Sequence, residues 1–177
     1  MTSQDIAAAL QRAESVFRRR PESSVHDDAP GVARWQGGMR TVAVHANGTQ
    51  VTTDMPREFG GTGDQASPGW LLRSAMSACT ATAIAMNAAR RGIALESLEV
   101  RSTSRSDARG LLGMDDGHGV PVYPGPADLQ MVVSITAPGL TDAELRALVE
   151  YSNRCSSLSA ALRNASDLLL RIEIGGA

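Results

Sequence analysis

The stretch from Ser67 to Gly92 constrains the fold more than any other part of this chain. Ser67 can cap a helix, and Pro68 suits the first turn, where its missing N–H costs nothing. Leu72, Ala75, Met76, Cys79, Ala83 and Met86 then fall on one stripe that runs nearly to Gly92. Alanine and other small residues occupy most of the remaining positions, which predicts a long helix buried on more than one side. A chain of 177 residues cannot easily cover such a helix alone, so the pattern predicts an obligate dimer.

The elements around this helix follow from local signals. Residues 3–20 read as an amphipathic helix, with Ile6, Leu10, Ala13 and Phe17 spaced by three and four. Ser3 or Thr2 can cap its start, and Pro21 stops it. Residues 22–30 are polar and read as a linker, which divides the chain into a helical arm and linker, 1–30, and one domain, 31–177. Strands are expected over 31–36, 40–46 and 51–54, with Asn47-Gly48 as a hairpin signal. Residues 95–104 and 129–137 read as two more strands, and 105–127 as a long hairpin loop. Thr141 and Glu144 form a capping box for a helix through Tyr151. A short helix over about 156–165 and a final strand over 168–174 complete the order. This order does not alternate as a doubly wound parallel sheet would. It predicts an α+β fold with helices gathered on antiparallel sheets.

Composition removes several classes of function. The net charge of −2 and the absence of a concentrated basic patch argue against nucleic acid as a partner. No stretch approaches the roughly 20 continuous apolar residues of a membrane helix. Gln4, Asp5, Gln11 and Glu14 interrupt any apolar run of the kind a secretory signal has. A cytoplasmic protein is expected. Two cysteines suit the reducing cytosol and are too few for a disulfide scaffold. His26, His45 and His118 have no metal-ligand spacing with each other or with the cysteines, so no metal is expected.

The cysteines are the candidate chemistry. Cys79 lies in the middle of the small-residue helix. Cys155 opens the Ser-rich turn Cys155-Ser156-Ser157, where the dipole of the following helix would favour its thiolate. A free cysteine is also a small hydrophobe and often inert, so neither residue is marked as reactive by its local sequence alone.

The run Phe59-Gly60-Gly61, then Ser67-Pro68-Gly69-Trp70-Leu71-Leu72, Ala75 and Ser77-Ala78-Cys79, resembles the central motif of the OsmC/Ohr family. Arg91-Gly92-Ile93 and Leu95 to Val100 look like that family's helix exit and next strand. Residues 138–141, the helix of 144–153, Cys155 and the 168–174 segment match the rest in order. The resemblance covers about residues 31–175. It implies an intertwined α+β homodimer, with antiparallel sheets around two long buried central helices and the two-cysteine site at the subunit interface. It also implies a peroxiredoxin-type activity on organic or inorganic hydroperoxides. Cys79 would be the peroxidatic thiolate, Cys155 the resolving thiol, and a dithiol the reductant. No metal, haem or flavin is implied.

A buried thiolate needs stabilisation, and the resemblance implies an arginine for that purpose. The candidates are Arg57, just before the loop into the cysteine helix, and Arg40, after Gly37-Gly38. Arg73, on the helix itself, either enters the site or is solvated. The sequence departs from the family pattern at two places. Gly69 stands where the peroxidases usually carry a glutamate that holds the arginine, and Ser156 stands where a proline usually follows the second cysteine. A second function class therefore remains open: an OsmC-like protein without efficient peroxidase chemistry, binding a small hydrophobic ligand or acting as an accessory factor. A thiol hydrolase or transferase has less support, since no histidine has the sequence context of a base.

Overall fold

The computed structural model of the chain describes residues 2–164 and 168–174. Helix α1 spans Ser3–Arg19. Thr2 caps it, in a capping box with Asp5. Three short antiparallel strands follow: β1 (Val32–Trp35), β2 (Thr41–Val44) and β3 (Gln50–Thr53), in the order β1-β2-β3. The β2–β3 turn contains Asn47-Gly48, with Gly48 at φ +89° and the Asn47 side chain accepting from the Thr49 N–H. Helix α2 is Pro68–Arg90, capped by the Ser67 hydroxyl on the Trp70 N–H. It ends where Gly92 turns left-handed and the Ile93 N–H returns to the Ala88 carbonyl.

The second sheet has two strands, β4 (Ser97–Arg105) and β5 (Ala127–Thr136). Their period-two pattern turns Leu98, Val100 and Ser102 to one face, opposite Ile135, Val133 and Met131. The segment between them, expected as a plain loop, contains one short helix, α3 (Ala108–Leu111), which Asp107 caps. Gly110 lies so close to the backbone of Tyr123 and Pro124 that an added Cβ would overlap it. The loop is therefore folded back on itself.

Helices α4 (Asp142–Arg154) and α5 (Ser157–Asn164) close the described chain. The Thr141–Glu144 capping box is present. The core sits where α2 meets this second sheet and α4. Ile84, Ala88 and Leu148 are almost fully buried there, with Leu98, Val100, Val133 and Ile135 packed around them. The architecture is α+β with antiparallel sheets, as expected.

Two expectations need correction. Residues 168–174 form no strand within the chain, and Leu168, Leu169, Leu170, Ile172 and Ile174 are exposed. Their apolar run is strand-like, but a strand also needs a sheet edge, which this chain does not bring to them. The deepest face of α2 is also not the predicted stripe. It runs through Met76, Thr80, Ala83, Ile84, Asn87 and Ala88, while Met86 is exposed. One row of α2, Ala75, Ala78, Thr82 and Met86, stays open to solvent.

Candidate active site

Cys79 lies halfway along α2 and is partly buried. Its sulfur faces the junction between α4 and α5. The Ser156 hydroxyl donates to Cys79 Sγ over 3.2 Å, and the Ser157 hydroxyl lies 3.4 Å from it. Burial pushes the Cys79 thiol up. The Leu158 N–H, the Ser156 hydroxyl, and the hydroxyl and N–H of Ser157 act the other way and leave it below its ordinary value. The first N–H groups of α5 have no partner inside their own helix, and the positive end of its dipole points at the sulfur.

Behind this contact lies a row of buried hydroxyls. Thr80 Oγ1 donates to Ser156 Oγ over 3.2 Å and is 3.4 Å from Ser159 Oγ. Thr80, Ser156 and Ser159 are all buried. The Ser156 hydroxyl, held from behind by Thr80, has its own hydrogen free for the sulfur.

The helix-terminus argument therefore applies to Cys79 and not to Cys155. Cys155 is exposed and is the C-cap of α4, its N–H bonded to the carbonyls of Tyr151 and Ser152. The helix that follows starts two residues later, at Ser157. Cys155 lines a groove of about 230 Å³ between α1 and α2, with Leu10, Phe17, Ala83 and Met86 among its walls. Both cysteines are free thiols.

The candidate arginines lie around the loop that leads into α2. Arg40 bonds Asp54 and Thr62 Oγ1, at 3.2 and 2.8 Å, and also Asp64. Asp54 is nearly inaccessible. It accepts from the N–H groups of Met55 and Thr62 and from the Thr62 hydroxyl. That hydroxyl is the main reason its carboxyl falls to about 2, against its burial, with Arg40 adding to the effect. Arg57 donates from Nε to the Thr62 carbonyl over 3.1 Å. Arg73 reaches Ser104 Oγ at 3.3 Å, and a Cβ added at Gly69 would meet Arg73 Nη1 at 3.7 Å. The described polar contacts of Cys79 come from Ser156, Ser157 and Leu158, not from these arginines.

Sequence reasoning missed Ser156, Ser157, Thr80 and Ser159 as parts of the site. The Cys-Ser-Ser-Leu-Ser spacing does carry a signal, because serines at a helix start offer both hydroxyl and backbone donors. Nothing local in the sequence says that this start would face Cys79.

Comparison with known proteins places these features in a wider group. A family model described as OsmC-like protein matches residues 61–170. Among solved structures, an OsmC-like protein from Mycoplasma pneumoniae aligns with TM-score 0.65 at 16% identity, over 78% of this chain and 89% of that one. An organic hydroperoxide resistance protein from Legionella pneumophila aligns with TM-score 0.53 at 24% identity, over 78% and 92%. One of the same description from Elizabethkingia anophelis aligns with TM-score 0.56 at 20% identity, over 78% and 90%. No curated protein matches the chain in sequence.

Proposed function

The chain belongs to the OsmC family, and from that premise we propose that it is a thiol-dependent peroxidase that reduces organic or inorganic hydroperoxides. The observation that carries this reading is the Cys79 sulfur, held against the start of α5 with its pKa lowered despite burial. A thiolate is the nucleophilic form of cysteine. Cys79 attacks one peroxide oxygen, the O–O bond breaks, and the alcohol leaves after taking a proton. Cys79 is then a sulfenic acid. The Cys155 thiol displaces its oxygen as water and closes a disulfide. A dithiol reductant restores both thiols by two exchanges and is itself oxidised.

Two features support the close approach of Cys155 to Cys79. Ser156 and Ser157, the next residues after Cys155, already touch the Cys79 sulfur. Cys155 also shares its groove with Ala83, one turn along α2 from Cys79. An arginine, Arg57 or Arg40, completes the site by polarising the peroxide. The functional unit is a homodimer. The open row of α2, with the exposed Trp35, Met39 and Trp70, is apolar surface that a second copy would cover. The protein acts in the cytoplasm, where a dithiol reductant is available.

Gly69 favours the second reading, an OsmC-like protein that binds a small hydrophobic ligand without efficient turnover, because the position after Pro68 carries no carboxylate, and the carboxylates that hold Arg40 are Asp54 and Asp64 of the preceding segment. Stopped-flow measurement of organic hydroperoxide consumption by the reduced protein separates the two. The peroxidase reading expects rapid stoichiometric consumption that Cys79→Ser abolishes. Consumption at the rate of a free thiol, unchanged by that substitution, leaves the binding protein.

A further inference from the structure

Helix α1 is attached to the body along one line. None of its residues is fully buried. Leu10, Ala13 and Phe17 line a groove together with Ala83 and Met86 of α2, and Glu14 pairs with Arg90 in the last turn of α2. Cys155 is the part of this seat that comes from neither helix.

The seat and the reactive sulfur share one face of α2. Ala83, Met86 and Arg90 lie four, seven and eleven positions after Cys79, which is the spacing of a single helical row. The start of α5 meets this row at Cys79, and α1 borders it from Ala83 onward, leaving Met86 exposed. Cys155 stands between the two. It lines the α1 groove, whereas its neighbours Ser156 and Ser157 touch the Cys79 sulfur. A disulfide needs Cα atoms within roughly 7 Å and sulfurs in bonding contact. Closing one with Cys79 draws Cys155 toward the start of α5 and away from the groove it lines beside α1.

We propose that α1 is a redox-sensitive strap, seated while Cys155 is a free thiol and loosened when Cys155 is drawn into a disulfide with Cys79. The proposal rests on the two-cysteine reading above. Forming the bond removes two electrons and two protons from the thiols. With peroxide they go to the O–O bond, which yields alcohol and water. With the azo compound diamide they go to its N=N bond, which yields the hydrazine. In both cases α1 loses one wall of a seat that has few others, and its local opening becomes more frequent. The opened groove exposes the Cys155 side of the disulfide to the reductant, so reduction and reseating of the strap are coupled.

Limited trypsin digestion reads this directly, because Arg12 lies on the exposed face of α1 and is cut only when the helix opens. The full-length protein is digested reduced, after diamide, and after an organic hydroperoxide, with the Cys79–Cys155 bond quantified by mass in each sample. Cleavage at Arg12 is expected to rise at least about threefold in the diamide sample and to return on reduction. Cys155→Ser treated in the same way should keep the reduced rate. An unchanged rate in a fully bonded sample overturns the strap, as does an equal rise in Cys155→Ser or the failure of diamide to form the bond. The peroxide sample tests the enzyme separately: a bond formed by diamide but not by hydroperoxide rejects the peroxidase and leaves the strap to be decided by the diamide sample.

Discussion

The Ser156 hydroxyl donates to the Cys79 sulfur over 3.2 Å, although the whole second sheet and α4 lie between the two residues in the chain. This contact replaces an expectation. A cysteine in mid-helix gains little from its own helix dipole, which acts near the first turn, and burial disfavours its thiolate. From sequence, an arginine looks necessary. The structure supplies another source of positive potential: the first turn of a different helix, α5, with two serine hydroxyls and two backbone N–H groups around the sulfur.

Replacing Ser156 by Ala should therefore raise the Cys79 pKa and slow its alkylation near neutral pH. A hydrogen bond to a charged group is worth about 1.5–3 kcal/mol, so the rate near neutrality should fall on the order of tenfold. Alkylation rate against pH, in wild type and Ser156→Ala, checks this. Superimposable curves would mean that the hydroxyl does not stabilise the thiolate.

The two arginines should separate by what else they hold. Among the described residues the Arg57 side chain makes one hydrogen bond, to a backbone carbonyl. Arg57→Ala should leave the melting temperature nearly unchanged, and any loss of peroxide reduction then belongs to the chemistry. Arg40 joins Asp54, Asp64 and Thr62, so Arg40→Ala should lower the melting temperature whatever it does to the rate. Thermal melts beside peroxide kinetics on both variants make the test. Equal melting losses would remove the distinction.

The fold was legible where one short signal decided one element. Thr141 and Glu144 set the start of α4, Ser67-Pro68 opened α2, and alternation in 97–105 defined β4. The site was legible only in part. Cys79 stands out only through the family resemblance, and its surroundings depend on how α5 docks, which no local pattern encodes. The serine turn after Cys155 reads correctly as a helix start, at Ser157 rather than Ser156, but Cys155 itself caps the end of α4. At that scale the dipole argument changes owner. The 168–174 segment had the composition of a strand, but the sheet edge it requires is not a property of the segment.

The small core makes stability sensitive to single residues. Leu148 of α4 is completely buried against Ile84 and Ala88 of α2. Leu148→Ala should cost about 3 kcal/mol, as other buried leucines do, and lower the melting temperature by roughly 6–12 °C for a chain of this size. Chemical denaturation checks it. A loss below about 1 kcal/mol would mean that α4 is not anchored through this residue.

Dimerisation should be tight. Trp35, Met39, Val51 and Trp70 are exposed apolar side chains, in addition to the open row of α2. Sedimentation at micromolar concentration should find a dimer and no folded monomer, and Trp35→Asp should shift it toward monomer or unfolding. A stable wild-type monomer would contradict this.

The last prediction concerns acid. Asp54 is buried, and its carboxyl is held down to about 2 from an ordinary 3.8, chiefly by the Thr62 hydroxyl and with help from Arg40. A carboxyl whose folded pKa lies below its unfolded value binds fewer protons in the folded state. It therefore stabilises the fold fully above the unfolded value, and this contribution is lost as pH falls through the folded one. The window here runs from about 4 down to about 2. Asp54→Asn removes the charge but keeps the shape, and it sets an amide N–H against the donors of Thr62, Met55 and Arg40. At neutral pH the variant should melt well below wild type. As the pH falls from 4 to 2, wild-type Asp54 takes up its proton and comes to resemble the amide, so the gap should narrow. Because Asp54 also donates its N–H to the Ala66 carbonyl, just ahead of the cap of α2, loosening should start in residues 54–66 and be visible there by hydrogen exchange. Melting curves of both proteins at a series of pH values decide the matter: a gap that stays constant down to pH 2 would mean that the Asp54 charge contributes nothing to the fold.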